Sequence, residues 1–114
     1  MAKIAFWITA GPDQAPKAMA GLRLAQRLRT VRDQKEVEVY LFGPGVRLTT
    51  DPNPGIQEVL QDLKLADVRV GACPANVKQM GLDEEQVMAS GAVLRPAGEV
   101  LVELVDAGYQ IIGV

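Results

Sequence analysis

The stretch Arg69-Val-Gly-Ala-Cys73-Pro-Ala-Asn-Val-Lys-Gln-Met-Gly81 contains the only cysteine in this chain of 114 residues. Val68 and Val70 predict a short strand. Pro74 suits the first position of a helix, where a missing N–H costs nothing, and Gly81 suits a left-handed cap at its end. Cys73 therefore falls where a strand ends and a helix begins. Unpaired N–H groups and the positive end of the helix dipole favour a thiolate at such a junction. In open α/β sheets, ligands bind along this same edge. The chemistry on offer is that of a nucleophilic sulfur. The plainer alternative is a lone cysteine that packs as a small buried hydrophobe, and the residues leave both open.

Around that sulfur, the backbone N–H groups of Ala75 and Asn76 are candidates to hold an anion. Lys78, about one turn on, could add positive charge, although a lysine there is ordinarily solvated. Gly43 and Gly45 suggest a phosphate loop but fit neither Gly-x-Gly-x-x-Gly nor a Gly-Lys-Ser/Thr ending. A strand-ending turn explains them more simply. Gly11-Pro12-Asp13 likewise lacks a nucleotide fingerprint. Asp83, Glu84 and Glu85 could be paired carboxylates, yet the first turn of a helix favours acids anyway. Phe6 and Trp7 read as core.

Composition removes much else. Histidine is absent, and with it the commonest general base and metal ligand. One cysteine permits neither an internal disulfide nor a Cys-x-x-Cys zinc or redox pair. No metal and no cofactor is expected. A net charge of −2 provides no basic stripe for nucleic acid. No apolar run approaches a membrane span and no signal peptide is evident, so a cytoplasmic location is expected.

The elements that must position Cys73 follow from hydrophobic periodicity. Lys3 to Thr9 is a nearly unbroken apolar run, the signature of a strand covered on both faces. Ala18, Leu22, Ala25, Leu28 and Val31 predict a helix from about Pro16 to Val31. Val37 to Phe42 is a second strand. Gly43 to Gly55 reads as the longest irregular piece, and loops of that length are usually functional or mobile. Ile56, Val59, Leu60 and Leu63 mark a second helix. Asp67 to Ala72 is strand three, followed by the helix that Cys73 opens. Asp83 and Gln86 resemble a capping box for a further helix, with Leu82 and Val87 as its staple. Val93-Leu94 is a brief strand, Pro96 to Ala107 a last helix, and Tyr109 to Val114 a terminal strand. This alternation predicts a single α/β domain over residues 1–114, with a parallel sheet and right-handed crossovers. Gly11 to Gln14, Gly43 to Arg47 and Cys73 to Asn76 should then meet at one sheet edge, which makes Gly11 and Gly43 candidate ligand contacts.

Taken in order, the Lys3–Thr9 strand, Val70-Gly-Ala-Cys73 with its helix to Gly81-Leu82, Glu84 to Gly91-Ala-Val93, and Gly108-Tyr-Gln-Ile-Ile112 resemble the DsrE/DsrF-like family of small sulfur carriers. The resemblance implies a three-layer α/β/α domain with a five-stranded parallel sheet, assembled as a homotrimer or hexamer. It also implies a persulfide on the cysteine matching Cys73. Two departures stand out. Pro74-Ala75-Asn76 replaces the Gly-Thr/Ser segment that follows the cysteine in many transferring members, and the basic and histidine residues that assist some of them are missing. The expected function is a sulfur relay in which Cys73 takes a sulfur and passes it to an acceptor thiol. With one cysteine, donor and acceptor must be other proteins or small thiols. The alternatives are a binding or assembly module in which Cys73 only packs, and a thiol redox sensor.

Overall fold

The computed structural model describes residues 2–114. Five strands form one sheet: β1 (Lys3–Ile8), β2 (Glu36–Leu41), β3 (Arg69–Ala72), β4 (Val93–Leu94) and β5 (Gln110–Gly113). Their order is β4-β3-β2-β1-β5, and every neighbouring pair is parallel. The connections carry helices α1 (Ala15–Thr30), α2 (Pro54–Leu65), α3 (Pro74–Gln79), α4 (Glu84–Ala89) and α5 (Ala97–Asp106). The α/β/α sandwich expected from the sequence is present.

The strand order makes its outer layers unequal. From β1 to β4 the chain steps in one direction, and from β4 to β5 it returns across the sheet to the far side of β1. Right-handed crossovers therefore put α1, α2 and the α3–α4 pair on one face and leave α5 alone on the other. A helix packed along the strands is about 10 Å across, whereas the four strand spacings amount to about 19 Å. One short helix cannot cover that face.

Residue alternation along the strands shows the same contrast. Phe6, Val39 and Val70 are in register and buried, pointing to the α1–α2 face. One residue on, Gly113, Trp7, Tyr40, Gly71 and Val93 form a row on the α5 face. The row before it carries charge, with Glu38 beside Arg69 and an ion pair of 3.6 Å between them. Leu22 and Ala25 of α1 and Ile56, Val59 and Leu63 of α2 are inaccessible to solvent. Of α5 only Val100 and Leu104 are buried, while Leu101, Val102 and Val105 face solvent.

Local signals set the element ends. The Asn53 side chain accepts from the Gly55 N–H at 2.9 Å and caps α2, and Asp83 does the same for the Glu85 N–H at 3.2 Å at the start of α4. Gly81 ends α3 in the left-handed region at φ 67°. Two expectations change. Strand three begins at Arg69, because Asp67 leaves α2 in a left-handed conformation at φ 63°. The segment from Gly43 to Gly55 is not a long irregular loop. Gly43–Thr49 winds as a 3-10 helix whose Val46 and Leu48 are fully buried, and the buried Thr49 hydroxyl donates to the Val46 carbonyl at 2.7 Å. Two apolar side chains placed two apart fasten this stretch to the core.

Candidate functional site

The carboxyl edge of the sheet is tightly built. The Phe42 N–H donates to the Ile8 carbonyl at 3.0 Å and the Cys73 N–H to the Leu41 carbonyl at 3.1 Å, so the ladder runs past the strand ends and puts Cys73 beside Phe42. A Cβ on Gly45 would lie 2.1 Å from the Ile8 carbonyl oxygen, so only glycine lets the two backbones approach this closely. The three segments expected to converge do so, and two of the candidate glycines serve that packing. Gly11 is buried, and a Cβ there would lie 2.7 Å from the Pro44 carbonyl oxygen. The Gly43 N–H donates to Asn76 Oδ1 at 2.8 Å, which ties α3 to the end of β2.

Of the remaining candidates, Ala75 and Lys78 are exposed and line one open cleft of about 660 Å³ with Pro74, Leu82 and Glu84. A second cleft of about 590 Å³ lies over Pro12, Pro44, Arg47, Asp51 and Met80. Cys73 lines neither. It is 4% exposed and belongs to the continuous apolar core. It is the N-cap residue of α3, yet its side chain makes no capping hydrogen bond. The sulfur therefore does not engage the N–H groups of Ala75 and Asn76.

Tyr40, which the sequence reading left in a strand, lies in register with Gly71, two residues before Cys73. Tyr40 is 2% exposed, and its ring stacks on Trp7 at 4.5 Å between centroids. The ring lies flat over Gly71, where a Cβ would come within 2.8 Å of it. Its hydroxyl donates to the Arg95 carbonyl at 2.7 Å, and the Arg95 N–H donates to the Ala72 carbonyl at 3.1 Å. Burial above all, then the charge and the hydrogen bond of Cys73, hold the Tyr40 proton far above the ordinary phenol range, against a weaker pull from Arg95. The Arg95 guanidinium is itself bonded to the Glu103 carboxylate. A glycine in the middle of a strand is the one sequence signal that pointed here, since it marks a close approach.

Further along the same face, Trp7, Phe42, Leu101, Ile111 and the glycines 98 and 113 line a shallow apolar groove of about 430 Å³. Among the described residues no three metal-ligating side chains cluster, and no helix is long and apolar enough to cross a membrane.

Comparison with known proteins agrees with the fold. The sequence model of the DsrE/DsrF-like family matches residues 2–114. The ychN protein of E. coli superposes over 100% of both chains with a TM-score of 0.81 at 19% identity. A conserved protein of unknown function from Bacteroides thetaiotaomicron gives 0.79 at 16% identity, over 96% of this chain and 94% of its own. A protein of unknown function from Methanobacterium thermoautotrophicum gives 0.71 at 18% identity over the full length of both. No curated protein matches in sequence.

Proposed function

Since this chain belongs to the DsrE/DsrF-like family, we propose that it works in sulfur relay as a persulfide carrier on Cys73. The observation that carries this reading is the placement of the chain's one thiol at the carboxyl end of β3, where α3 begins. Cys73 as thiolate attacks the outer sulfur of a donor R–S–SH. A new S–S bond forms as the donor's S–S bond breaks, giving Cys73–S–SH and the donor thiolate. An acceptor thiolate then repeats the attack and releases Cys73 as thiolate, with no net oxidation. In this reading the first-turn N–H groups of Ala75 and Asn76, with Lys78 beyond them, receive the outer sulfur once it extends from Cys73. Gly11 and Gly43 act in this reading as the packing that holds the edge together. Donor and acceptor are small thiols or partner proteins of the cytoplasm, and the carrier works as a homo-oligomer joined through its α5 face.

Mass spectrometry after incubation with a sulfane-sulfur donor tests the reading. One added sulfur on native protein, absent from Cys73→Ser, is expected. Reaction only after denaturation would refute it.

The 4% exposure of Cys73 favours a second reading, an assembly or binding module in which the cysteine packs. That reading expects no native adduct and undiminished assembly in Cys73→Ser.

A further inference from the structure

A helix that covers a sheet needs one apolar stripe, and α1 has it in Ala18, Leu22 and Ala25, which are buried in the core. The same helix carries a second stripe on its solvent side. Lys17, Ala20, Leu24, Arg27 and the C-cap residue Val31 recur at spacings of three and four, and all five are exposed. Leu24 is 51% and Val31 69% open to water, two turns apart with Arg27 between them. The charge around them is one-sided. From Gln14 to Arg32 run five of the chain's twelve cations, Lys17, Arg23, Arg27, Arg29 and Arg32, and none of its fourteen acids. Among the described residues Arg23 alone of the five has a carboxylate partner, Asp62 of α2 at 2.7 Å. The helix dipole accounts for Arg27 and Arg29 in the last turn. It does not account for Lys17 in the first turn, where a cation is unfavourable, nor for Leu24 and Val31. A solvated face ordinarily mixes both signs, as α2 does with Glu58, Asp62 and Lys64.

We propose that the outer face of α1 docks a partner protein that presents an acidic amphipathic helix. Leu24 and Val31 are the apolar anchors, and Lys17 and Arg27 pair with the partner's carboxylates. Spacings of three and four are those at which two helices interlock, and cations without carboxylates on one helix are matched by carboxylates on the other. Phosphate surfaces fit less well. Asp62 sits beside Arg23 and Glu58 lies one turn before it, while two aliphatic side chains neither stack bases nor bury the area a lipid surface needs. A second copy is also disfavoured. Its acidic helix, α5 with Glu99, Glu103 and Asp106, lies on the opposite face of the sheet from α1, so that contact would repeat without closing. Assembly through the α5 face leaves α1 turned outward, and the proposal does not depend on the chemistry of Cys73.

Fluorescence anisotropy tests this with a labelled amphipathic peptide, leucine at spacings of three and four and glutamate elsewhere, and with the same peptide carrying lysine for glutamate. Wild type should bind the glutamate peptide and not the lysine one, with affinity falling as salt is raised. Arg27→Glu and Leu24→Ser should each weaken binding by about tenfold. Both positions are exposed, so the urea midpoint should change little. Val105→Ser, on the opposite face, should bind as wild type does. Equal binding of the two peptides, or binding indifferent to Arg27→Glu and Leu24→Ser, would overturn the proposal. Tighter binding of duplex DNA or of phosphatidylglycerol vesicles than of the glutamate peptide would overturn it too. So would wild-type particles that grow with concentration and shrink in Arg27→Glu, which would give the face to a second copy.

Discussion

The two faces of the sheet are built on different principles, although the same five strands supply both. On the α1–α2 face, Phe6, Ile8, Val39, Leu41 and Val70 meet Leu22, Ile56, Val59 and Leu63, and apolar packing satisfies the whole surface. On the α5 face a charged row, Glu38 and Arg69, lies next to an aromatic row, Trp7 and Tyr40, under a helix too short to cover them. The first face holds the domain together. The second gives up burial and keeps polar groups, Glu38, Arg69 and the Tyr40 hydroxyl, along it. A fold can specialise in this way because a reversal of strand order assigns most of its helices to one side.

The contrast is tested most severely by truncating the first face. Leu41 is fully buried and the site at its carbonyl is the anchor for the Cys73 N–H. Leu41→Ala should cost about 3 kcal/mol, the usual range for a buried leucine that leaves a cavity. The check is the urea midpoint at constant slope. A loss below 1 kcal/mol, on the order expected of a surface position, would mean that this face is not the stabilising one.

Alkaline pH should act on the second face alone. Tyr40 and Tyr109 both keep their protons above the ordinary phenol value of 10.0. Tyr109 is pushed up to about 12, by burial first and then by Glu38 and Glu36 with a hydrogen bond to Glu38, against a smaller pull from Arg69. The unfolded chain releases both protons near pH 10, whereas the folded one retains them. Stability is therefore full below about pH 10 and falls as pH rises through the folded values, by at most about 1.4 kcal/mol per pH unit for the buried Tyr40. Urea midpoints taken on either side of pH 10 measure the slope, and Tyr109→Phe should flatten it. An unchanged slope in Tyr109→Phe would show that its phenol is free of Glu38 in solution.

How far this was legible from sequence depends on which interactions are local. Spacings of three and four placed α1, α2 and α5, and Pro74, Gly81 and Asp83 marked the two ends of α3 and the start of α4, because caps and amphipathic stripes are written into neighbouring residues. Gly43 to Gly55 was misread because five turn-forming residues, Thr50 to Pro54, outweighed Val46 and Leu48, whose burial depends on distant partners. The environment of Cys73 was illegible for the same reason. Its N-terminal place on α3 could be seen from Pro74, but its burial, like the seat of the Tyr40 ring over Gly71, follows from the register of β2 on β3 and from distant packing, which no local pattern records. Gly71 was the available hint, since a glycine inside a strand asks what lies against it.

The smallest effect on stability should come from α5 itself. Val102 and Val105 are 61% and 58% exposed, so changing both to Ser should alter the urea midpoint by an amount equivalent to less than about 0.5 kcal/mol. If the face is where copies of the chain join, the same substitutions should shift light scattering toward the monomer, because apolar side chains left open on one chain are then the ones buried between two. A wild type that scatters as a monomer at micromolar concentration would remove the assembly, and an assembly indifferent to Val102 and Val105 would place it elsewhere. Either result would still leave the asymmetry of the sheet, since one helix about 10 Å across cannot cover a face that five strands make.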